Sequence, residues 1–262
     1  FVTFSYRLGA LGFYADENLA RESANNTTGM YGFLDQVKAL EWVNKNIKSF
    51  GGDPNKITIA GESAGSSSVN AMCVSPLTKG LFRYAISESS SITGKKPPHS
   101  YKDFADAIKQ GKTLRDELGV SSPVDLRKVP SEKIANTSTQ YGTLNAMTND
   151  GYALKKSPYE SYLAGEHNEK ALLTGYNKKD GDLFMLVDKK TNKDTYKESI
   201  KAIYPRAYRE IIKAYPANTD EEAENNQRKI YNAATFGYGH DVWSRLAVKK
   251  EPVYRYYFTK EN

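Results

Sequence analysis

The sequence predicts an α/β protein with a mostly parallel sheet, because strand and helix signals alternate along its N-terminal third. Between residues 34 and 50, apolar side chains recur every three or four positions, which is the spacing of a helix with one face in a core. A β-branched run at residues 57–60 follows, and a second, apolar helix begins near Ser66. Parallel strands need long crossover connections, and helices usually supply them.

The composition is that of a globular chain, with 39% hydrophobic and 26% charged residues and a net charge of +6. No run approaches the roughly 18 apolar residues of a membrane-spanning helix, so we expect no membrane span. Lysine pairs are spread along the chain, whereas nucleic-acid binders gather them on one stripe, so we expect no nucleic-acid partner. The single cysteine, Cys73, excludes an intrachain disulfide and argues against a cysteine-based metal site. We expect no metal and no cofactor.

Local patterns predict the individual elements. The helical stripe consists of Leu34, Val37, Leu40, Val43, Ile47 and Phe50. Gly51–Gly52 ends this helix, because glycine readily adopts the left-handed conformation found at helix C-termini, and Pro54 blocks its continuation. Further strand signals lie at residues 1–7, 171–175 and 253–258.

The chain opens within the first of these strand signals and stops soon after the last. We therefore expect one α/β domain over residues 1–262 that is incomplete at both ends. Residues from about 100 to 165 are expected to form a variable, mainly helical excursion, and residues from about 185 to 250 a helical region.

One motif carries chemistry. Gly61 to Gly65 reads G-x-S-x-G and lies between the predicted strand and the second helix. A serine on so sharp a strand-to-helix turn takes a strained backbone conformation, needs small neighbours and points its hydroxyl into solvent. The amide of the following Ala64 then lies at a helix N-terminus, where N–H groups can stabilise an oxyanion. The pattern favours Ser63 as a nucleophile over the alternative, a glycine-rich turn with a capping serine.

Several segments resemble one family in their order and spacing. They are Tyr6-Arg7-Leu8-Gly9 with Gly12-Phe13, Gly32-Phe33-Leu34-Asp35-Gln36, Ala39-Leu40-Glu41-Trp42-Val43, Phe50-Gly51-Gly52-Asp53-Pro54, the Gly61 to Gly65 turn, Ser75-Pro76 and Lys79-Gly80-Leu81-Phe82. These motifs densely cover residues 1–92. In these motifs the chain resembles the type B carboxylesterases. This family of α/β-hydrolases includes cholinesterases and para-nitrobenzyl esterases. The chain has about half of this family's usual length.

The resemblance implies the α/β-hydrolase fold and ester hydrolysis by a Ser–acid–His triad, in that chain order. Ser63 matches the nucleophile and Ala64 an oxyanion donor, and Gly61, Glu62 and Gly65 complete the elbow. In relatives the residue at the Glu62 position lies at the edge of the acyl pocket. A carboxylate that only fixes the elbow is the alternative.

The family's acid is a glutamate in a segment of the form N-K-D-E-G. Residues 177–181 here read N-K-K-D-G, which puts Asp180 at the acid position. Aspartate shortens the reach by one methylene but can still orient an imidazole. The neighbouring Asp182 is the next candidate for the catalytic acid. The alternative is that Asp180 belongs to an acidic turn beside glycine and has no catalytic role. Ser89, at a strand end where the family usually has Gln-Ser-Gly, is expected to support the nucleophile from behind.

The histidine of the triad is not evident. Of the three histidines, only His240 follows Asp180, and it matches a helical stretch before the family's penultimate strand, so we expect it to be structural or at the surface. His99 and His167 lie in polar loops and have no predicted role. We expect the catalytic histidine and the H-G-G segment with the other oxyanion donors outside residues 1–262, on a further segment or a complementary chain. Without a base, serine is a poor nucleophile at neutral pH, so this chain alone should be a feeble esterase.

We therefore predict a serine carboxylesterase that hydrolyses small-molecule esters through an acyl-enzyme on Ser63. One alternative is a catalytically inactive, cholinesterase-like adhesion protein, although such proteins usually lack the nucleophile that is retained here. Another is a specialised feruloyl esterase or lipase of the same fold. The residues do not fix the ester, the acyl chain or the compartment.

Overall fold

A four-stranded sheet organises the molecule. The computed structural model describes residues 1–95, 101–139, 146–182 and 191–260. All four strands are parallel, and in spatial order they are β1 (Thr58–Glu62), β2 (Tyr84–Glu88), β5 (Ala171–Asn177) and β6 (Val253–Phe258). A separate parallel pair consists of β3 (Tyr101–Lys102) and β4 (Met147–Thr148). The mostly parallel sheet predicted from the alternating signals is confirmed.

Helices connect these strands. In the described ranges they are α1 (Gly9–Phe13), α2 (Glu17–Glu22), α3 (Tyr31–Asn46), α4 (Ala64–Val74), α5 (Phe104–Leu118), α6 (Pro123–Leu126), α7 (Ser131–Thr139), α8 (Pro158–Leu163), α9 (Lys193–Ile203), α10 (Tyr208–Ala214), α11 (Asp220–Asn232) and α12 (Tyr238–Ala247). A π-helical turn, Ala233–Gly237, joins α11 to α12. Among these described helices, none is both long and apolar enough to cross a membrane. That residues 1–262 form one domain stays a prediction.

Helix α3 confirms most of the predicted apolar stripe. Val37 and Leu40 are buried and belong to the same core as Val69 and Met72 of α4. Phe50 differs from the prediction, since its side chain is 71% exposed. It lies in a 3₁₀ turn after the end of α3, where side chains no longer follow the 3.6-residue period of an α-helix.

The end of this helical segment follows its sequence signal. Gly51 has a φ of +81°, in the left-handed region, and its amide donates to the carbonyl oxygen of Lys48. Pro54 then opens a short 3₁₀ turn that leads to β1. Helix α4 begins at Ala64, two residues before its predicted start.

Residues 1–7 do not form the predicted strand. Phe1 and Phe4 are exposed, and the described residues place no strand beside this segment to complete a hydrogen-bonded ladder. Arg7 is instead attached to Asp35 of α3. Its guanidinium donates two hydrogen bonds of 2.7 Å to the carboxylate, and its backbone amide donates a third of 3.0 Å. The side-chain contact therefore decides the path of this segment.

The sheet buries one face more completely than the other. Ala85 of β2 and Leu172 of β5 lie opposite each other in register and are almost fully buried. Helices α4 and α12 pack on this face, where Trp243 of α12 is fully buried. On the opposite face Leu173 is 36% and Tyr254 is 62% exposed. The core therefore lies between the sheet and α4, α12 and α3.

Leu172→Ala is expected to lower the free energy of unfolding by about 2–5 kcal/mol, because it leaves a cavity in the core. Leu173→Ala, one residue further along the same strand, is the matched control and should cost at most about 1 kcal/mol. Urea unfolding followed by tryptophan fluorescence measures both. Equal costs for the two substitutions would contradict this assignment of the sheet faces.

Candidate active site

The candidate site lies at the edge where the carboxyl ends of the parallel strands meet. In the strand register, Glu62, Glu88, Gly175 and Tyr256 stand side by side across β1, β2, β5 and β6. Ser63 follows β1 directly, and the other two predicted site segments follow β2 and β5. Ligands of open α/β sheets bind at this edge. The structure therefore brings the predicted nucleophile and the predicted acid to the same edge.

Ser63 occupies a sharp turn between β1 and α4. Its φ is +53° and its ψ is −117°, a conformation that costs a residue with a side chain on the order of 1–3 kcal/mol. Its amide donates to the carbonyl oxygen of Glu88 at 2.9 Å, and its own carbonyl oxygen accepts from the amide of Ser67 at 3.1 Å. Ser63 is exposed to solvent. These are the features expected of a nucleophile elbow.

The two glycines of the motif have different steric roles. A Cβ added to Gly61 would lie 2.3 Å from the carbonyl carbon and 2.4 Å from the carbonyl oxygen of Gly65. A Cβ added to Gly65 would meet nothing within 4 Å among the described residues. The turn therefore requires a glycine at position 61. The sequence predicts small residues around Ser63 and does not distinguish Gly61 from Gly65.

Ala64 is the first residue of α4, so its amide has no acceptor within the helix. The partial positive charge of the helix N-terminus adds to the effect of this N–H group. Ala64 is exposed next to Ser63. An oxyanion formed at the serine could therefore accept a hydrogen bond from this amide.

Buried serines that the sequence analysis did not identify attach α4 to the end of β2. Ser66 Oγ donates to the carbonyl oxygen of Ser90 at 2.5 Å and lies 2.5 Å from Ser87 Oγ. Ser67 Oγ lies 2.8 Å from Ser90 Oγ. The run of three serines in an otherwise apolar helix is the sequence signal that could have identified them. These hydrogen bonds attach the first turn of α4, directly after Ser63, to the end of β2.

Asp180 is fixed within its own turn. Its Oδ2 accepts from the backbone amide of Asn177 at 2.8 Å, and its Oδ1 accepts from Asn177 Nδ2 at 2.7 Å. Asn232 of α11, which is 5% exposed, supports the same turn. Its Oδ1 accepts from the amide of Gly181 at 2.9 Å, and its Nδ2 donates to the carbonyl oxygens of Asn177 and Lys178 at 3.1 Å. No sequence pattern marked Asn232, since it lies 52 residues beyond Asp180.

The rival acid has a different environment. Asp182 forms an ion pair with Arg228 of α11, with 3.7 Å between Oδ1 and Nη1. Its side chain is 37% exposed. It is therefore oriented by α11 and not by the turn that fixes Asp180.

Three carboxylates, those of Glu62, Glu88 and Asp180, lie close enough at this edge to affect one another. Burial raises the pKa of Glu62 above its usual value, and the charges of Asp180 and Glu88 raise it further. The charge of Asp180 therefore affects the pKa of a side chain in the elbow, that of Glu62. A cluster of carboxylates favours a cation that forms among them, such as a protonated imidazole.

Ser89 is the second strained residue at this edge. It has a φ of +58° and is 3% exposed. Its amide donates to the carbonyl oxygen of Gly175 at 2.9 Å, and its Oγ lies 3.5 Å from Asn177 Nδ2. Ser89 thus links the end of β2 to the turn that carries Asp180. Its supporting role stays a prediction.

The histidines lie in three different places. His240 is fully buried on α12, with Nδ1 2.5 Å from Thr174 Oγ1 and its ring stacked on Tyr176. Burial lowers the pKa of His240 to about 4, so its ring is neutral at pH 7. His99 lies outside the described residues. His167 lies in the predicted loop, which precedes β5 at the opposite end of the sheet, but its side chain is only 3% exposed.

The comparison with known proteins agrees with this geometry. The Carboxylesterase family matches the chain over residues 1–262. Fumonisin B1 esterase of Sphingopyxis macrogoltabida is 29% identical over 98% of this chain and 48% of its own length. Cholinesterase 1 of Branchiostoma lanceolatum is 32% identical over 78% of this chain and 62% of its own length.

A solved structure is similar over almost the whole chain. The crystal structure of carboxylesterase EST55 from Geobacillus stearothermophilus at pH 6.8 superposes with a TM-score of 0.82 and 27% sequence identity. The match covers 98% of this chain and 54% of that one, so the chain spans about half the length of this relative. The fold is therefore that of the α/β-hydrolases, and the chain belongs to the carboxylesterase family.

Proposed function

We propose that the protein is a serine carboxylesterase in which Ser63 attacks the carbonyl carbon of a small-molecule carboxylic ester. The observation that carries this proposal is the backbone of Ser63, which has a φ of +53° between β1 and α4 and leaves the residue exposed. Membership of the carboxylesterase family supports it.

In the proposed mechanism, Ser63 Oγ bonds to the ester carbon while its proton passes to a histidine. The carbonyl oxygen becomes an oxyanion and accepts a hydrogen bond from the Ala64 amide. The intermediate collapses, the bond to the alcohol oxygen breaks, and the histidine returns its proton to the leaving alcohol. Water, deprotonated by the same histidine, then attacks the acyl-enzyme, which releases the acid and restores the serine hydroxyl.

Asp180 is the proposed acid, which accepts an N–H from the histidine. Each of its oxygens already accepts one hydrogen bond from Asn177, and a carboxylate oxygen has a second lone pair. The fixed turn holds the carboxylate in one orientation, as an imidazole partner requires. The negative charges of Asp180 and Glu62 stabilise the imidazolium that forms during the attack.

The proposed base is neither His240 nor His167. His240 Nδ1 contacts Thr174 in the core, and the lowered pKa of this histidine makes its ring a weak proton acceptor. His167 lies at the amino ends of the strands, away from Ser63. The proposal therefore takes the base from outside residues 1–262, on a further segment or a complementary chain.

A fluorophosphonate probe tests the nucleophile. In the protein that includes the segment or chain supplying the histidine, we expect one covalent adduct per chain, mapped to Ser63 by peptide mass spectrometry, because such probes bond to an activated serine oxygen. Ser63→Ala should abolish the adduct, and Ser121→Ala, which changes an exposed serine elsewhere, should leave it unchanged. An unmodified Ser63 after probe treatment of the protein that carries the histidine and no substitution would contradict the esterase proposal and favour a catalytically inactive relative.

Asp180→Asn is expected to lower kcat for a para-nitrophenyl ester by about 10²–10⁴-fold, because an amide cannot stabilise the imidazolium as a carboxylate does. Asp180→Glu restores the family's residue type and should keep at least about a tenth of the activity. Asp182→Asn is the matched control, with activity within about twofold of the unmodified protein. If Asp182→Asn lost the activity and Asp180→Asn kept it, the acid would be assigned to the wrong residue.

A further inference from the structure

Three side chains that can ligate a metal meet at the amino ends of the strands, away from the candidate active site. His167 and Glu169 lie in the loop before β5, and Glu251 lies between α12 and β6. Leu172 pairs with Val253 in the parallel register, so these two connections are adjacent in space. One ligand atom from each of the three side chains lies within 4.8 Å of the other two.

These side chains are buried and incompletely hydrogen-bonded. The exposed fractions of the His167, Glu169 and Glu251 side chains are 3%, 0% and 6%. Among the described residues, both ring nitrogens of His167, Glu169 Oε2 and Glu251 Oε1 have no hydrogen-bond partner. Only Glu169 Oε1 has a hydroxyl donor, from Tyr162 at 2.5 Å. Buried polar atoms without partners are costly, and two carboxylates in one buried space repel each other.

The distances between the groups match those of metal ligands. His167 Nδ1 lies 3.1 Å from Glu251 Oε2 and 3.7 Å from Glu169 Oε2. Two ligands bonded at 2.0–2.1 Å to a tetrahedral ion lie about 3.3 Å apart. The imidazole therefore stands at nearly the separation from each carboxylate that one shared ion imposes, and all three ligand atoms lie within 4.8 Å of one another.

Glu169 and Glu251 place two carboxylates in one buried space, and a cation between them would relieve their repulsion. Lys170 and Lys250 lie close enough to act on Glu251. The nearby ammonium of Lys250 donates to the carbonyl oxygen of Gly165 at 2.7 Å. His167 also lines a surface cavity of about 340 Å³.

We infer that His167, Glu169 and Glu251 bind a divalent transition-metal ion such as Zn²⁺, through one imidazole nitrogen and two carboxylate oxygens, with water as the fourth ligand. One neutral nitrogen and two carboxylate oxygens are a ligand set that zinc accepts. The ion joins the loop before β5 to the connection before β6. The seven residues of β5 separate it from the Ser63 edge by roughly 20 Å. Its role is therefore structural and independent of the esterase proposal.

Metal analysis of the full chain tests this inference. The protein is treated with a chelator, reloaded with Zn²⁺, desalted and measured by inductively coupled plasma mass spectrometry. We expect about one zinc per chain, and a rise in Tm of about 5 °C when zinc is present at about 100-fold over Kd. Mg²⁺, which prefers six oxygen ligands, should not reproduce this rise.

Two glutamine variants distinguish this cluster from other zinc-binding positions. Glu251→Gln keeps the side-chain shape and removes the charge, so it should fold, and it should lose both the bound zinc and the rise in Tm. Glu166→Gln changes an exposed carboxylate beside His167 that pairs with Lys156, and it should behave like the unmodified protein. Less than about 0.2 zinc per chain in the unmodified protein, or equal zinc in Glu251→Gln, would overturn the inference.

Discussion

The close approach of Gly61 to Gly65 is the constraint on which the candidate active site depends. It allows the chain to reverse between β1 and α4 within a few residues, and it leaves Ser63 at a φ of +53°. Such a backbone costs on the order of 1–3 kcal/mol and persists only where surrounding contacts fix it. Here the Ser63 amide bonds to the Glu88 carbonyl oxygen, and Ser66 bonds to the residues that follow β2. Strain at the nucleophile is thus offset by hydrogen bonds directly beneath it.

The two ends of the sheet have different roles in this account. At the carboxyl ends, Ser63 and Ala64 are exposed to solvent, Ser63 has a strained backbone, and Asp180 is partly buried in its turn. At the amino ends, His167 and the two glutamates are packed away from solvent. A bound cation there would tie together the segments leading into β5 and β6, whose far ends carry the Asp180 turn and Tyr256.

Sequence patterns predicted the elements whose conformation depends on residues close to them in the chain. The elbow, helix α3 and the left-handed Gly51 each follow from a few neighbouring residues. The strand expected at residues 1–7 was wrong, because β propensity needs a neighbouring strand to act. Asn232 and the His167 cluster could not be predicted from spacing. Asn232 and Glu251 lie tens of residues from their partners, and only the packing of α11 and the register of the strands bring them together.

The stability of two glycine variants tests the central claim most directly, without depending on catalysis. Gly61→Ala should lower the free energy of unfolding in urea by at least about 2–3 kcal/mol, because its Cβ would lie 2.3 Å from the Gly65 carbonyl carbon. Gly65→Ala should leave this free energy unchanged or raise it by up to about 1 kcal/mol, since its Cβ meets open space at the start of a helix. Equal effects of the two substitutions, or a stable Gly61→Ala variant, would contradict the account.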